Sequence, residues 1–489
     1  MEFYQDIMNP NPRDSSLKNS SLGAEINSGQ SHKFNKAILR ESDIRGIVGE
    51  NLDATDAYYI GRSFGSVVRL CGGETVAVGY DGRLSSPGLA HALAEGLKHC
   101  GVQVLDIGLG PSPMLYYAVH SLNLHGGIMV TGSHNPAEYN GFKLMLAQSS
   151  FYGAEIQKLE KIALAGEFVT GEGRVDPTVI LPEYINRLLQ DAIDFSGLRV
   201  AWDPGNGAAA EIICKLTKKL KGTHFLINER IDGTFPAHHP DPTVPENLAQ
   251  LIETVRLNNC DLGIAFDGDG DRIGVVDSSG RILWGDQLMQ LFAKEVLMES
   301  PGAPIIADVK ASQSLFDEIS NMGGTPIMWK TGHSLIKSKM AETKAPLAGE
   351  MSGHIFFADK YYGFDDAVYA AIRLLSILAK SSTSATEVFN SLPQAVNTPE
   401  IRFDCPEDEK KAIVDRVRRS LKKSNANMIC IDGVRVETEN GWWLLRASNT
   451  QPVLVARCES TNQTGLKILF AELTTHLKQN GYQGTIPHF

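Results

Sequence analysis

Three aspartates at alternate positions in Asp267-Gly-Asp-Gly-Asp-Arg272 are the clearest candidates for chemistry in the sequence. In an extended segment such side chains project to one side, and the intervening glycines let the backbone bend until the carboxylates converge. Carboxylate oxygens suit Mg²⁺ or Ca²⁺ rather than zinc, and close carboxylates without a cation would repel one another. An EF-hand is excluded because Arg272 and Ser278 stand where its loop needs glycine and glutamate. The pattern therefore favours a metal site at Asp267, Asp269 and Asp271 over a plain acidic turn.

A second candidate is the segment from Thr131 to Lys143, which reads TGSHNPAEYNGFK. Its small lead-in residues expose Ser133, while His134 and Lys143 supply polar and cationic partners for a reacting group. An ordinary Ser/Asn/Pro turn explains the local sequence about equally well. Thr131 stands where the first glycine of G-x-S-x-G would be, which disfavours a hydrolase elbow.

Two later segments have the side chains that bind phosphorylated sugars. In Gly349-Glu-Met-Ser-Gly-His354 the residues Glu350, Ser352 and His354 alternate and could face one ligand, although an edge strand would give the same pattern. In Arg446-Ala-Ser-Asn-Thr-Gln-Pro452 an arginine precedes three short polar side chains at a predicted strand-to-strand turn. Such a loop can hold a phosphate, and alone it is about as typical of an ordinary turn.

Two nucleotide-binding interpretations are weaker. The segment Asp203-Pro-Gly-Asn-Gly-Ala-Ala-Ala210 matches G-x-G-x-x-A after a predicted strand. The acidic residue expected ~20 residues later is only loosely matched by Glu229 or Asp232, so we interpret the segment as a tight strand-to-helix turn. The sequence has no G-x-x-x-x-G-K-[ST], so P-loop chemistry is unsupported.

Alternating strands and helices predict the elements that position these segments. Strands beginning at Thr75, Leu198 and Pro304 each open a run of strands and helices, which indicates α/β units with mostly parallel strands in mixed sheets. Ligands of such sheets bind beyond the carboxyl ends of strands, where the serine and aspartate segments fall. The predicted divisions are a flexible extension over 1–32, three similar α/β domains over 33–180, 181–283 and 284–395, and an α+β domain over 396–489.

Composition restricts the class of protein. The 489 residues carry a formal net charge of −11, which argues against a nucleic-acid partner but allows a local basic cluster to bind an anion. Seven scattered cysteines without a C-x-x-C pair predict free thiols in a reducing compartment. The sequence shows no apolar run of ~20 residues and no signal peptide, so we expect a cytoplasmic protein without a membrane partner. Ala367 to Ala379 is predicted to be a buried helix.

Taken together and in this order, the motifs TGSHNP with NGFK, DGDGDR, GEMSGH and RASNT resemble those of the α-D-phosphohexomutase superfamily, and most of all its bacterial phosphomannomutase/phosphoglucomutase branch. The resemblance runs from about Ile38 to the C-terminus. It implies three similar α/β domains and a C-terminal α+β domain around a central cleft. It also implies interconversion of hexose 6-phosphate and hexose 1-phosphate, with mannose and/or glucose as the sugar, through a phosphoserine and a hexose 1,6-bisphosphate that is intermediate and activator.

Two other activities fit the motifs: phosphoglucosamine mutase, and a catalytically silent relative that binds sugar phosphates. Met351 in the sugar loop favours the mannose and glucose enzymes over phosphoglucosamine mutases. Ser133 and the three aspartates are all present, which disfavours the silent relative. We expect a monomer or weak homodimer.

The resemblance also assigns roles to residues. Ser133 would carry the phosphoryl group and, with Asp267, Asp269 and Asp271, hold one Mg²⁺. Lys143 and His333 match positions proposed for proton transfer, for which the general base would need a lowered pKa. Arg45 matches an arginine near the phosphoserine, although Ser42 replaces the tyrosine usual three residues before it, so a cleft contact is lost or replaced. The expected substrate-binding residues are His134, Arg272, Lys310, Glu350, Ser352, His354, Arg446, Ser448, Asn449 and Thr450.

Overall fold

The computed structural model describes residues 26–448 and 452–486, with side chains from residue 29 onward. These residues form two compact units. The first contains the described residues up to Trp284 together with Ser352–Thr386, and the second contains Gly285–Met351 and the described residues from Glu387 onward. Residues 1–25 of the predicted extension, and the predicted phosphate ligands Asn449 and Thr450, lie outside the described residues.

A mixed sheet of seven strands forms the N-terminal part of the first unit. Beside it, β1 (Ile26–Ser28) pairs with β8 (Glu167–Val169) in a separate sheet of two strands, so paired backbone begins inside the predicted extension of 1–32. The seven strands of the mixed sheet are β2 (Ile44–Ile47), β3 (Thr75–Tyr80), β4 (Gln103–Leu109), β5 (Gly126–Val130), β6 (Tyr139–Leu146), β7 (Ser149–Phe151) and β9 (Arg174–Pro177). The order is β2-β6-β5-β3-β4-β9, with β7 beside β6. Strands β5, β3, β4 and β9 run parallel, and β6 is antiparallel to its neighbours.

Four helices cover this sheet: α1 (Ala54–Leu70), α2 (Ser86–Lys98), α3 (Ser112–Ser121) and α4 (Ala154–Ala165). The N-terminus of α1 has a capping box, in which Asp53 accepts from the Asp56 amide and Asp56 accepts from the Asp53 amide. Helices α1 and α2 approach closely because Gly61 and Gly96 lie at their crossing. A Cβ at Gly96 would lie 2.1 Å from the Tyr58 carbonyl oxygen.

A second mixed sheet follows in the same unit, with the order β11-β10-β12-β13-β14. Its strands are β10 (Arg199–Asp203), β11 (Thr223–Leu226), β12 (Leu262–Phe266), β13 (Ile273–Asp277) and β14 (Ile282–Leu283), accompanied by helices α5 (Leu181–Leu189), α6 (Ala210–Thr217) and α7 (Ala249–Leu257). Strand β10 is parallel to β11 and β12, and β13 is antiparallel to β12 and β14. Asp203 to Ala210 is the tight strand-to-helix turn that the sequence predicts.

The second unit begins with a third group of strands and helices. They are α8 (Gly285–Glu299), β15 (Pro304–Asp308), α9 (Gln313–Asn321), β16 (Thr325–Trp329), α10 (His333–Thr343) and β17 (Leu347–Gly349). The three strands are parallel in the order β16-β15-β17.

The chain then returns to the first unit with β18 (Ile355–Phe357) and α11 (Ala367–Lys380), which confirms the predicted buried helix. The predicted third domain of 284–395 is therefore divided between the two units. Polar contacts explain the return: the Ile273 amide donates to the Gly353 carbonyl at 3.0 Å, and the Tyr184 hydroxyl donates to Asp366 at 2.7 Å.

The C-terminal part of the second unit is an antiparallel sheet in the order β19-β24-β23-β22-β21, with β20 beside β24. It contains α12 (Ala385–Asn390), β19 (Val396–Asn397), β20 (Ile401–Asp404), α13 (Lys410–Lys423), β21 (Met428–Ile429), β22 (Val434–Thr438), β23 (Gly441–Ala447), β24 (Val453–Ser460) and α14 (Gln463–Gln479). The predicted fold class, mixed α/β domains followed by an α+β domain, is confirmed. In the described ranges no helix is both long and apolar enough to cross a bilayer.

The crossing of α1 and α2 gives a test of packing. We expect Gly96→Ala to lower the free energy of unfolding by about 1–3 kcal/mol, because the added methyl group would overlap the Tyr58 carbonyl oxygen. Gly88→Ala in the same helix is the matched control, since its Cβ would meet nothing within 4 Å. There the change should be neutral or stabilising by up to about 1 kcal/mol. Thermal unfolding measures both, and equal midpoints for the two variants would contradict the packing explanation.

Candidate functional site

Ser133 lies just beyond the carboxyl end of β5, in the loop that leads to β6. Its φ is +46°, a left-handed conformation that is strained for a serine. The Ser133 amide donates to the Thr131 hydroxyl at 2.8 Å, and the Ser133 hydroxyl donates to the Asp267 carboxylate at 2.9 Å. The serine and aspartate segments, far apart in the sequence, therefore meet side chain to side chain.

The loop between β12 and β13 brings Asp267, Asp269 and Asp271 together as the sequence predicts. All three side chains are fully buried, and one oxygen from each lies within 4.8 Å of the others. The amides of Asp271 and Arg272 donate to Asp267 at 3.0 and 3.1 Å, which curls the loop around that carboxylate. The G-x-G-x-x-A turn also contacts this loop: the Ala208 amide donates to the Gly268 carbonyl at 2.9 Å.

Lys143, on β6, supplies positive charge to this cluster. Its ammonium lies 2.6 Å from Asp269 and also contacts Asp271. Burial disfavours the ammonium, but these two carboxylates outweigh burial and raise the pKa of Lys143 well above its usual value. The lowered pKa that we expected for a general base is therefore wrong for Lys143 in this structure, because the carboxylates stabilise its charged form.

The cluster fits a divalent metal ion. One oxygen of Asp269 and one of Asp271 are buried and accept no hydrogen bond from any described residue. Burial, reinforced by Asp271 and Asp269, raises the pKa of Asp267 well above its usual value, so one lysine does not neutralise three carboxylates. An all-carboxylate donor set suits a hard cation such as Mg²⁺. A second group of possible ligands, Asp271, His354 and Asp365, shares one carboxylate with the trio.

Two buried arginines hold the serine loop. Arg45 donates to the Gly132 carbonyl and to the Asn135 side chain, the latter at 2.8 Å, which agrees with its predicted place near the serine. Arg83 was not predicted. It is 1% exposed and donates to the Ser133 carbonyl at 2.7 Å and the Asn135 carbonyl at 2.6 Å, and it also contacts the Pro136 and Tyr139 carbonyls. The Asp81-Gly-Arg83 sequence directly after β3 was the only signal for it.

His354, Arg272 and His134 also lie in the first unit. Arg272 Nε donates to His354 Nε2 at 3.0 Å, and His354 Nδ1 lies 3.1 Å from Asp365. Burial, followed by the charges of Arg272 and Arg45, lowers the pKa of His134 well below its usual value. His134 Nδ1 lies 3.2 Å from the Ser133 hydroxyl. Three predicted substrate-binding residues thus gather around the serine and the carboxylates.

The sugar loop differs from the predicted extended segment. A turn over residues 351–353 separates β17 from β18, so Glu350, Ser352 and His354 do not alternate along one strand. Glu350 lies in the second unit, where it accepts from the Gly332 amide at 2.5 Å. Ser352 and His354 belong to the first unit.

The remaining predicted residues lie in the second unit. Lys310 follows β15 and contacts Glu400 at 3.0 Å, and His333 begins α10 with Lys337 at 3.3 Å from its Nδ1. Arg446 is the next-to-last residue of β23, and its Nε donates to Asp432 at 2.9 Å. Ser448 begins the loop after β23, and its carbonyl accepts from the buried Lys410 at 2.6 Å. Lys410 was missed because it follows Glu407-Asp408-Glu409 at the start of a charged helix, where the sequence predicts exposed side chains.

Family comparisons match the whole architecture. Models described as phosphoglucomutase/phosphomannomutase alpha/beta/alpha domains I, II and III match residues 36–170, 182–280 and 284–396, and the C-terminal domain model matches 400–476.

Individual relatives are similar over most of the chain. A Pseudomonas aeruginosa protein named phosphomannomutase/phosphoglucomutase is 46% identical over 90% of this chain and 96% of its own length. A Neisseria meningitidis phosphoglucomutase is 41% identical over 91% of this chain and 97% of its own. A crystal structure of a phosphoglucomutase/phosphomannomutase family protein from Burkholderia thailandensis is 42% identical, with a TM-score of 0.87 over 93% of this chain and 100% of that one.

The Arg83 contacts predict that one side chain orders the serine loop. We expect Arg83→Lys to speed amide hydrogen exchange across 131–139 by about tenfold or more, because one ammonium cannot replace the charged donors that reach four carbonyls. Exchange measured by mass spectrometry is the readout. Arg62→Lys, which changes an arginine of α1 that donates to the Val169 carbonyl, is the control and should leave this peptide unchanged. Unaltered exchange in a folded Arg83→Lys variant would show that the loop is ordered by other contacts.

Proposed function

Because the chain belongs to the phosphoglucomutase/phosphomannomutase family and is a hexose phosphate mutase, we propose that it moves a phosphoryl group between C6 and C1 of the sugar through a phosphoserine at Ser133. One observation carries this proposal: the Ser133 hydroxyl lies 2.9 Å from Asp267, inside a buried trio of carboxylates that fits a divalent cation. A hydroxyl in that position can carry a phosphate beside a metal ion.

Phosphoryl transfer depends on positioning and on neutralising charge rather than on covalent help from the protein. Asp267, Asp269 and Asp271, with an oxygen of the serine phosphate, would hold one Mg²⁺, which would stabilise negative charge on the moving group. Phospho-Ser133 gives its phosphoryl group to the free hydroxyl of the sugar phosphate, and the product is a hexose 1,6-bisphosphate. This intermediate then reorients in the site, and its other phosphate is transferred back to Ser133. Free hexose 1,6-bisphosphate would therefore also act as an activator, because it can phosphorylate Ser133.

The loops of the second unit supply groups for the sugar and its non-reacting phosphate. Nη2 of Arg446 is buried and makes no hydrogen bond to any described residue, so a donor is available for an anion. Ser448 stands beside it, and Asn449 and Thr450 complete the proposed phosphate loop. Glu350 of this unit would bind sugar hydroxyls, and so would Ser352, which belongs to the first unit.

The two candidate bases for proton transfer, Lys143 and His333, have different surroundings. Two carboxylates hold Lys143 in its charged form. In that form it would stabilise the phosphoryl group as a cation, and it must first lose a proton to act as a base. His333 begins a helix in the second unit and is half-buried, so it remains a candidate base.

The proposed sugars are mannose and glucose, which the names of the Pseudomonas and Neisseria relatives support. Met351 in the sugar loop is the feature of this chain that favours them over glucosamine. Assays with mannose, glucose and glucosamine phosphates side by side would distinguish a phosphoglucosamine mutase. A monomeric or weakly dimeric state and a cytoplasmic location stay predictions.

Ser133→Ala tests the nucleophile. We expect a folded protein whose mutase turnover falls below about a thousandth of wild type, because the phosphoryl carrier is absent. A coupled assay of hexose 1-phosphate conversion measures turnover. In the wild-type protein, intact mass and peptide mapping should find phosphate on Ser133, and this phosphate should disappear when substrate is added. Ser149→Ala, on an exposed residue of β7, is the control and should keep full turnover. Near-normal turnover by Ser133→Ala would refute the proposed nucleophile.

Asp271→Asn tests the metal site independently of turnover. Loss of one of three carboxylate ligands should weaken Mg²⁺ binding by about tenfold or more, measured by calorimetry on chelator-treated protein. Mg²⁺ should raise the unfolding temperature of wild type, since a ligand that binds only the folded state stabilises it. Glu253→Gln, an exposed carboxylate on α7, should bind Mg²⁺ as wild type does. Equal Mg²⁺ affinity in Asp271→Asn and wild type would place the ion elsewhere.

A further inference from the structure

The loop that carries Lys310 is held by arginines from the C-terminal sheet of the same unit. Arg435, on β22, donates to the Val309 carbonyl at 3.0 Å and to the Ala311 carbonyl at 2.9 Å. Arg457, on β24, donates to the Lys310 carbonyl at 2.5 Å. Three consecutive carbonyls, centred on Lys310, therefore accept hydrogen bonds from two charged side chains that lie more than a hundred residues later in the chain.

The two arginines are fixed in turn by their own surroundings. Arg435 is fully buried, with its guanidinium 3.7 Å from the centre of the Trp442 ring. Arg457 is 1% exposed and pairs with Asp286 at 2.9 Å. The same Asp286 oxygen accepts from the Ser312 amide at 2.9 Å, so it joins the arginine to the end of the Lys310 loop. Burial makes these charge-assisted bonds strong and leaves the guanidinium groups little freedom.

The ammonium of Lys310 also has a partner in the C-terminal part of the chain. It lies 3.0 Å from Glu400, which precedes β20, and 3.9 Å from Asp308. Backbone and side chain of Lys310 are therefore both fixed by residues after 399, although Lys310 itself follows β15. A cation held this way has its position set before an anion arrives, so less conformational freedom is lost on binding.

We infer that Arg435 and Arg457 are positioning residues, which place the Lys310 ammonium for the phosphate of the substrate. The C-terminal sheet then acts in two ways: it presents its own phosphate loop at Arg446, and it sets the place of a cation that belongs to the preceding α/β domain. The inference rests on the proposed function in one respect: the substrate is a hexose phosphate, and Lys310 is among the substrate-binding residues that the family resemblance implies.

Binding of mannose 6-phosphate tests the inference without turnover. Calorimetry would use the full chain in a Ser133→Ala background with Mg²⁺ present. We expect Lys310→Met to raise the Kd by about tenfold or more, and Arg435→Lys to raise it about fivefold, because lysine keeps the charge but lacks the planar guanidinium that lies on the Trp442 ring while it donates to both carbonyls. Arg457→Lys should act in the same direction and serves if Arg435→Lys does not fold.

A double mutant separates positioning from general stability. If Arg435 acts through Lys310, adding Arg435→Lys to Lys310→Met should change the Kd by less than about twofold, because coupled residues are not additive. Arg373→Lys is the matched control: this arginine of α11 is equally buried, pairs with Asp359 and lies in the first unit. It should lower the unfolding temperature and leave the Kd unchanged.

Three outcomes would overturn the inference. The first is an unchanged Kd in folded Arg435→Lys and Arg457→Lys, and the second is an unchanged Kd in Lys310→Met. The third is a double mutant whose fold-change in Kd equals the product of the two single-variant fold-changes. None of these affects the Ser133 assignment, which depends on loss of turnover. Conversely, turnover by Ser133→Ala would refute the proposed nucleophile and leave the binding results intact.

Discussion

The burial of three carboxylates in one loop is the constraint on which the rest of the first unit depends. Such a cluster is stable only when hydrogen bonds and positive charge surround it. Backbone amides donate to Asp267. Ser112 and Lys143 donate to Asp269, and Lys143 also donates to Asp271. Ser112 begins helix α3 and Lys143 lies on β6 of the first sheet, whereas the aspartates lie in the β12–β13 loop of the second sheet. Compensation of the buried charge therefore joins the two parts of the first unit. The close approach also requires a glycine, because a Cβ at Gly268 would lie 2.4 Å from the Ser133 carbonyl oxygen.

The positive charge next to the cluster does not balance its negative charge. Three carboxylates face one ammonium, and the pKa of Asp267 is raised by burial and by its two neighbours, whereas burial is outweighed at Asp269, where Lys143 holds the pKa low. The cluster therefore has an excess of negative charge, and one oxygen of Asp269 and one of Asp271 accept no hydrogen bond from any described residue. A divalent cation removes the excess, and a phosphate on the serine would then bring charge of the opposite sign to the cation. The proposed metal ion and the proposed phosphoserine would therefore complement each other electrostatically.

Sequence patterns predicted much of this because the relevant residues are neighbours in the chain. Alternating aspartates, the strand before Ser133 and the buried helix α11 are all local signals, and each was found. Antiparallel β6 and β13 were missed, since their residues also belong to the motifs that follow β5 and β12. The return of 352–386 to the first unit depends on long-range contacts such as Tyr184 with Asp366, which no local pattern encodes. The raised pKa of Lys143 likewise follows from carboxylates more than a hundred residues away.

Arg83, Lys410, and the pair Arg435 and Arg457 share a physical role that sequence patterns do not reveal. Each is buried, and each donates to backbone carbonyls of a loop proposed to bind phosphate: the Ser133 loop, the Arg446 loop and the Lys310 loop respectively. A loop that binds an anion must present N–H groups and cations and turn its carbonyl dipoles away. A buried cation that donates to those carbonyls achieves both effects, since it fixes the carbonyls on the far side of the loop and adds positive potential there. Because the contact is to backbone, it places no demand on the loop's side chains, which remain available to the ligand.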